Sequence, residues 1–215
     1  MRPIICMITD RRRLGSEGEA RLVERVAFAA RAGVHLIQIR EHDLEGGQLS
    51  RLVAGCVDAV RDTRSRVLVN DRLDVALAAG ARGVHLRGSS FSGRRARQMT
   101  PPGFLIGRSI HTPDDAANLS REGAVDYLIF GTVFETLSKS GMAGVGTKRL
   151  AEAVGATPLP VLAVGGVSLG RLEAVVSAGA AGIAAIGLFA DCPIVELPAV
   201  LEAVSRAFDT GSSVS

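Results

Sequence analysis

Short apolar segments alternate with longer amphipathic ones along the chain, and this alternation limits the fold more than any other feature. Eight segments are apolar enough to be buried strands: 4–8, 34–39, 66–69, 83–86, 104–108, 127–130, 158–164 and 180–186. The stretches between them carry apolar residues at helical spacing, so that strand and helix repeat about every 25 residues. Strands that are apolar on both faces are typical of a parallel sheet covered by helices. The pattern predicts a single (β/α)8 barrel, with an open, doubly wound sheet as the alternative.

The length and composition fit one compact domain. The chain has 215 residues, of which 47% are apolar and 22% charged, and this is enough to bury one sizeable core. We expect a barrel domain over residues 1–208 and a disordered, Gly- and Ser-containing tail over 209–215. The net charge is only +3, and the arginine clusters at 11–13 and at 94, 95 and 97 lack interleaved aromatic residues. They indicate solvated helix faces rather than a nucleic-acid surface.

The cysteines and the N-terminus bear on the cellular compartment. The three cysteines form no CxxC pair and lie at no ligand spacing from a histidine, so neither a zinc site nor a disulfide framework is indicated. Unpaired thiols fit a reducing cytoplasm, where we expect the protein. The N-terminal apolar run is too short for a signal peptide, and no stretch is long enough for a membrane span.

Polar residues gather after the predicted strands, at ends that share one face of a barrel. Gln38 and Arg40 have the same strand parity, so both can point into the barrel mouth, where a guanidinium can bind a carboxylate or a phosphate. Asn70 and Asp71 follow the third strand. They could coordinate Mg²⁺, but one carboxylate makes a poor site. The exit of the fourth strand, residues 87–92, contains no second carboxylate.

Two glycine-containing strand ends are candidates for binding phosphate. Gly165-Gly166 follows the seventh strand, and Ile186-Gly187 follows the eighth. Glycine leaves backbone N–H groups accessible to an anion, and this fold commonly binds phosphate after these two strands. The alternative is that both are tight turns that need glycine for backbone geometry alone.

Among the histidines, His111 is the candidate for proton transfer, because it follows the fifth strand and an imidazole titrates near neutral pH. The alternative is a solvent-facing loop histidine. His35 and His85 lie among aliphatic residues in predicted strands, and we interpret them as packed core or interface residues. His42 lies at the rim, as a ligand contact or an exposed residue. The loop 132–146 is long enough to indicate a functional role.

Several of these segments together resemble a known family. The matching stretches are Gln38-Ile-Arg-Glu41, Val69-Asn-Asp-Arg-Leu-Asp-Val-Ala-Leu77, Gly83-Val-His-Leu86, Ile106-Gly-Arg-Ser-Ile-His111, residues 126–141 and Val164-Gly-Gly-Val167. Over nearly its whole length the chain resembles the thiamine-phosphate synthase/TenI superfamily. The resemblance implies a (β/α)8 barrel and a role in thiamine biosynthesis.

The superfamily contains two activities. Synthases join a hydroxymethylpyrimidine diphosphate to thiazole phosphate; their pattern has QLREK at strand two, an Asp in NDR, a second Asp in a GQxD-like segment after strand four, and GPxFxTxTK after strand six. Here His42 replaces the lysine, Ser90 replaces the second aspartate, and the last motif reads GTVFETLSK. Loss of that aspartate would remove one of two Mg²⁺ ligands and much of the metal assistance to diphosphate departure.

The same segments are similar to TenI-type thiazole tautomerases, which implies aromatisation of a thiazole carboxylate phosphate tautomer, with no metal and no other cofactor. In this interpretation His111 shuttles the proton, and Gly165, Gly166, Ile186 and Gly187 hold the phosphate. The implied substrate-binding residues are Gln38, Arg40, Asn70, Thr132, Thr136, Ser138 and Lys139. Arg40 or Lys139 would pair with the substrate carboxylate or with charge that develops during the transfer.

Two alternatives stay open. One is a divergent thiamine-phosphate synthase, because Asn70, Asp71, Ser138 and Lys139 are retained; this alternative alone requires Mg²⁺ at Asp71. The other is a non-catalytic regulator that binds thiazole phosphate. The expected partner is a small-molecule substrate, with no nucleic acid and no membrane. Apolar residues on the outer helices would favour a homodimer.

Overall fold

The computed structural model describes residues 2–15, 18–136 and 144–211. Eight parallel strands form one closed barrel in chain order. They are β1 Ile4–Ile8, β2 Leu36–Ile39, β3 Arg66–Asn70, β4 Gly83–Leu86, β5 Leu105–Ile110, β6 Tyr127–Phe130, β7 Val161–Val164 and β8 Gly182–Ala185. The pairing of β8 with β1, from Ile4↔Gly182 to Met7↔Ala185, closes the sheet. The predicted (β/α)8 barrel is therefore confirmed, and the open sheet is excluded.

Helices connect the strands and cover the outside of the barrel. They are α1 Gly18–Arg31, α2 Gly46–Ala59, α3 Leu73–Ala78, α4 Gly93–Gln98, α5 Pro113–Glu122, α6 Gly146–Gly155, α7 Leu172–Ser177, α8 Gly187–Ala190 and α9 Leu197–Gly211. Thr112 caps the start of α5: Thr112 Oγ1 accepts from the Asp115 N–H at 3.1 Å, and Asp115 Oδ2 accepts from the Thr112 N–H at 3.0 Å. Within the ranges given above, no helix has the length and apolarity needed to cross a membrane.

The apolar side chains form two layers. Outward-facing residues such as Ile37 and Ile106 pack under the helices. The inward-facing residues that fill the barrel include Cys6, Leu36, Leu68, Tyr127, Leu162 and Ala184. Gly107 makes room for one of them, because a Cβ atom at position 107 would collide with the ring of Tyr127.

The bounds of the elements differ from the sequence-based expectation mainly in the last third of the chain. β7 begins at Val161 rather than at 158, because Pro158 and Pro160 have no N–H to donate to a neighbouring strand. The one-turn helix α8 was not predicted. α9 reaches Gly211 and so includes the first residues of the predicted tail; residues 212–215 lie outside the described ranges.

Candidate active site

Gln38 and Asn70 form a buried pair where β2 and β3 open into the barrel mouth. Their side chains are 2% and 7% exposed, and Gln38 Nε2 donates to Asn70 Oδ1 at 2.9 Å. Gln38 Oε1 and Asn70 Nδ2 are buried and have no hydrogen-bond partner among the described residues. The pair therefore leaves one acceptor and one donor for a ligand.

Arg40 directly follows β2 and is half-buried. Its backbone N–H donates to Thr9 Oγ1 at 2.9 Å, but its guanidinium makes no hydrogen bond or ion pair that the described ranges reveal. Burial lowers the pKa of Arg40, and a guanidinium stays charged under such a shift. Arg40 is therefore a cation that an anionic ligand can pair with.

Glu41, the last residue of the Gln-Ile-Arg-Glu motif, holds the loop after β1 in place. It is 4% exposed, accepts from Thr9 Oγ1 at 2.6 Å, and accepts from the Arg11 N–H at 3.1 Å. Burial raises the pKa of Glu41, against the effect of these hydrogen bonds. Sequence reasoning gave Glu41 no role, although its parity, opposite to that of Arg40, could have indicated a structural one.

Asp71 follows β3 in a left-handed backbone conformation, with φ 60°. The Ser90 hydroxyl donates to Asp71 Oδ1, and Arg87 Nε donates to Oδ2 at 2.7 Å. Burial alone would raise the pKa of Asp71, but the hydrogen bonds from Ser90 and Arg87 and the charge of Arg87 outweigh it and lower that pKa. Asp71 is therefore an ionised carboxylate that already has a cationic partner.

Arg108, which the sequence analysis did not select, fixes the loop that carries Arg87 and Ser90. It is 9% exposed. Its Nη1 donates to the carbonyl oxygen of Phe91 at 2.6 Å, and its Nη2 donates to those of Gly88 at 2.9 Å and Ser90 at 3.0 Å. The sequence could have indicated this role, because Arg108 lies near the end of a strand that was predicted to be buried, and a buried arginine needs hydrogen-bond partners. The loop after β4 is thus attached to β5 by one side chain.

His35 and His85 have different surroundings, although the sequence pattern predicted the same kind of packed position for both. His85 is 2% exposed, and its ring lies 2.8 Å from Ser109 Oγ and 3.2 Å from the Tyr127 hydroxyl. Burial lowers the pKa of His85 to about 3. The prediction of a packed core residue is confirmed for His85. His35 is not a core residue, because it is exposed and lies just before β2, where its Nδ1 accepts from the Ile5 N–H at 3.2 Å; that it is an interface residue stays a prediction.

His111 is exposed at the end of β5. Its Nδ1 lies 2.6 Å from the carbonyl oxygen of Gly131. A carbonyl can only accept, so Nδ1 carries the hydrogen. The backbone N–H of His111 donates to Asp115 Oδ2 at 3.1 Å. These contacts join the exits of β5 and β6.

The glycines after β7 and the start of α8 lie side by side, as β7 and β8 are neighbours. Gly165 and Gly166 have φ values of +96° and +62°, and a Cβ at Gly166 would lie 2.5 Å from the carbonyl oxygen of Glu135. Ile186 and Gly187 open α8. All four residues are partly exposed. This is the place where barrels of this kind commonly bind phosphate.

The loop after β6 contributes Thr132, whose Cγ2 would collide with a Cβ at Gly165. It pairs with the exit of β7 through Phe134, whose N–H donates to the Gly165 carbonyl at 3.0 Å. Thr136 is half-buried and has an interaction partner. The predicted ligand contacts Ser138 and Lys139 lie outside the described residues.

Comparison with known proteins gives a consistent result. A family model described as thiamine monophosphate synthase matches residues 5–189. The thiamine-phosphate synthase of Chlorobium luteolum is 36% identical over 86% of this chain and 84% of its own length, and that of Methanoculleus marisnigri is 40% identical over 74% and 75%. A solved thiamine phosphate pyrophosphorylase from Pyrococcus furiosus superposes with a TM-score of 0.81 at 27% identity, over 96% of each chain.

The expectation of a thiazole tautomerase, an isomerase, is wrong on this comparison, because the relatives are named as synthases, which are transferases. The expectation depended in part on Ser90, which replaces one of the two aspartates that bind Mg²⁺ in the synthase pattern. The structure places the guanidinium of Arg87 on Asp71 at that point. Although the second carboxylate is absent, a positive charge therefore lies next to Asp71.

Proposed function

We propose that this chain, which belongs to the thiamine monophosphate synthase family, is a thiamine-phosphate synthase. It would join a hydroxymethylpyrimidine diphosphate to a thiazole phosphate and release diphosphate. These substrates are the ones that the resemblance of its motifs implies, and the names of the relatives support them.

The main support for the proposal is that the buried Gln38–Asn70 pair has one hydrogen-bond acceptor and one donor without partners. Leaving a buried donor or acceptor unpaired costs about 1–3 kcal/mol, and Gln38 Oε1 and Asn70 Nδ2 are both in this state. A pyrimidine with an amino group next to a ring nitrogen would present a hydrogen-bond donor beside an acceptor. That arrangement complements the free acceptor and donor of the pair.

The two anionic groups of the substrates have separate places around the mouth. Arg40, beside the Gln38–Asn70 pair, would bind the diphosphate of the pyrimidine substrate. Gly165 and Gly166, on the far side of the eight-stranded ring, would bind the phosphate of the thiazole through backbone N–H groups, together with Ile186 and Gly187. Thr132 and Thr136 lie on the loop after β6, next to the thiazole side. Two substrates held in this way would face each other across the mouth.

The reaction exchanges one bond for another. The bond between the pyrimidine methylene carbon and the diphosphate oxygen breaks, and its electron pair leaves with diphosphate. The lone pair of the thiazole ring nitrogen forms the new C–N bond, so the positive charge of the product lies on that nitrogen. No proton is removed from carbon, and the general acid/base role predicted for His111 has no step to serve.

The test is an assay of the purified chain with both substrates, with and without Mg²⁺, in which thiamine phosphate and diphosphate are measured together. We expect equal amounts of both products. Gln38→Leu should raise the KM for the pyrimidine substrate by about 10-fold or more, the effect of one lost hydrogen bond to a buried group, and leave the KM for thiazole phosphate unchanged.

The matched control is Gln48→Leu, because Gln48 is an exposed glutamine on α2. It should leave both KM values as they are. Tight binding of thiazole phosphate without formation of either product, with and without Mg²⁺, would contradict the proposal and favour a regulator.

A further inference from the structure

The two-carboxylate magnesium site that the family resemblance implies does not fit the residues present. Of the two metal-binding aspartates that the resemblance implies, only Asp71 is present. Both of its carboxylate oxygens already accept hydrogen bonds, one from Ser90 and the other from Arg87. Ser90 occupies the position of the second carboxylate. Among the described residues, no group of three or more His, Cys, Asp and Glu side chains is placed to hold a metal ion. A magnesium ion on Asp71 would have to displace a guanidinium.

The position of Arg87 is built into the loop after β4. The Ser90 N–H donates to the Arg87 carbonyl oxygen at 3.0 Å, and the Arg87 N–H donates to Ser90 Oγ at 2.9 Å, which closes a tight turn. Arg108 holds that turn through the carbonyl oxygens of Gly88 and Ser90. One turn therefore presents both groups that contact Asp71.

The Arg87 side chain is also accessible to a ligand. It is 58% exposed, whereas Asp71 is 20% exposed. Nε and Nη2 lie 2.7 and 2.5 Å from Asp71 Oδ2, and the guanidinium has further N–H groups on its open side. Such a group can bind two phosphate oxygens at once.

Arg87 does not stand alone on this side of the mouth. The charge of Arg87 acts on both Arg40 and His42, and burial together with the charges of Arg40 and Arg87 lowers the pKa of His42. The guanidinium of Arg40 has no side-chain partner in the ranges that the structure describes. The charges of Arg40 and Arg87, which follow β2 and β4, thus act on each other, and Arg87 is the one that contacts Asp71.

We infer that Arg87, together with Arg40, binds the diphosphate in place of a magnesium ion, so that this chain releases diphosphate without a divalent cation. This inference rests on the proposed synthase function. Phosphate oxygens would accept hydrogen bonds from the free N–H groups of Arg87. Asp71 would keep the guanidinium oriented, and the hydrogen bond from Ser90 would fix Asp71. As the bond between carbon and the diphosphate oxygen breaks, the electron pair moves onto an oxygen whose negative charge the two guanidinium groups stabilise. No proton and no metal enters the balance.

The experiment compares wild type, Arg87→Met, Arg87→Lys and the double variant Arg87→Gly with Ser90→Asp, each in excess EDTA and in Mg²⁺. Turnover is measured beside two binding titrations, one with inorganic diphosphate in EDTA and one with Mn²⁺ alone. Arg95→Met is the control, because Arg95 is an exposed arginine on α4. Thermal unfolding confirms that each variant is folded.

We expect wild-type turnover to change by less than about 3-fold on chelation. Arg87→Met should lose about 10²-fold of turnover, as for the removal of one preorganised donor at a developing negative charge, and at least about 10-fold of diphosphate affinity, equivalent to one hydrogen bond to a charged group. Arg87→Lys should recover only part of both, since an ammonium lacks the planar fork. The double variant should gain Mn²⁺ binding that wild type lacks.

Three results would overturn the inference. Wild-type turnover that falls 10²-fold in EDTA and returns with Mg²⁺ would do so while leaving the synthase function intact. Unchanged diphosphate affinity in Arg87→Met would do the same. Absence of turnover in both EDTA and Mg²⁺ would overturn the synthase function and this inference with it.

Discussion

The guanidinium of Arg108 donates to the main-chain oxygen of Ser90 at 3.0 Å, and this hydrogen bond ties the end of β5 to the turn that carries Arg87. The same side chain also donates to the oxygens of Gly88 and Phe91. The position of the cation on Asp71 therefore depends on a residue that need not touch the ligand.

Arg108→Met should loosen this turn. Hydrogen bonds from a charged group contribute about 1.5–3 kcal/mol each, and methionine keeps part of the packing, so we expect the free energy of unfolding to fall by about 2 kcal/mol in urea titrations. The affinity for inorganic diphosphate should fall with it, because Arg87 loses its fixed position. Arg121→Met, at an exposed arginine on α5, should change neither quantity, and a stable Arg108→Met protein would show that the turn holds itself.

Gly166→Ala should weaken phosphate binding on the other side of the mouth. Gly166 has φ +62°, and a Cβ there would lie 2.5 Å from the Glu135 carbonyl oxygen and 2.9 Å from Phe134 Cβ. The left-handed conformation alone costs a non-glycine residue about 1–2 kcal/mol. We expect the KM for thiazole phosphate to rise at least about 10-fold. Gly170→Ala is the matched control, since nothing lies within 4 Å of a Cβ at that position.

His85 should make the protein less stable in acid. Burial lowers its folded-state pKa from 6.5 to about 3, so between these values the unfolded chain binds a proton that the folded protein does not. The free energy of unfolding should therefore decrease as the pH falls below about 6.5, by about 1 kcal/mol per pH unit from this residue. Chemical unfolding of His85→Gln should show a flatter pH dependence between pH 4 and 6. Parallel curves for variant and wild type would contradict the assignment, and above pH 7.5 the difference between them should be constant.

His111→Ala should reduce synthase turnover only slightly, by less than about 5-fold. The reaction takes no proton from carbon, whereas loss of a general acid/base costs about 10²–10⁴-fold. The remaining effect would come from the lost hydrogen bond to the Gly131 oxygen. Steady-state rates in the presence of both saturating substrates provide the measurement. A loss of 10²-fold or more would assign His111 to the chemistry after all.

The sequence was sufficient for the parts of the molecule that follow from local patterns. The spacing of the apolar residues in strands and helices predicted the barrel, and strand parity predicted that the Gln38 side chain faces its interior. The cap of α5 is also local, because Thr112 and Asp115 are only three residues apart. These features need no knowledge of which loops meet.

The pair of Arg87 and Asp71 could not be predicted in the same way. It joins residues 16 positions apart, and its geometry depends on a third strand through Arg108. Comparing the motif position by position showed that a carboxylate was missing at Ser90, but the compensating charge came from three residues earlier in the same turn. His35 is not in the core for a simpler reason, because β2 begins at Leu36, two residues later than predicted.

The contact between Gly107 and Tyr127 means that the two positions share a single volume inside the barrel. The sizes of the two residues are therefore linked. Alanine at 107 requires a smaller residue at 127, and a smaller residue at 127 would leave a cavity that a side chain at 107 could fill. Among homologous sequences these two positions should therefore covary. A double substitution, with a larger residue at 107 and a smaller one at 127, is the way to redesign this part of the interior while keeping the barrel strands in place.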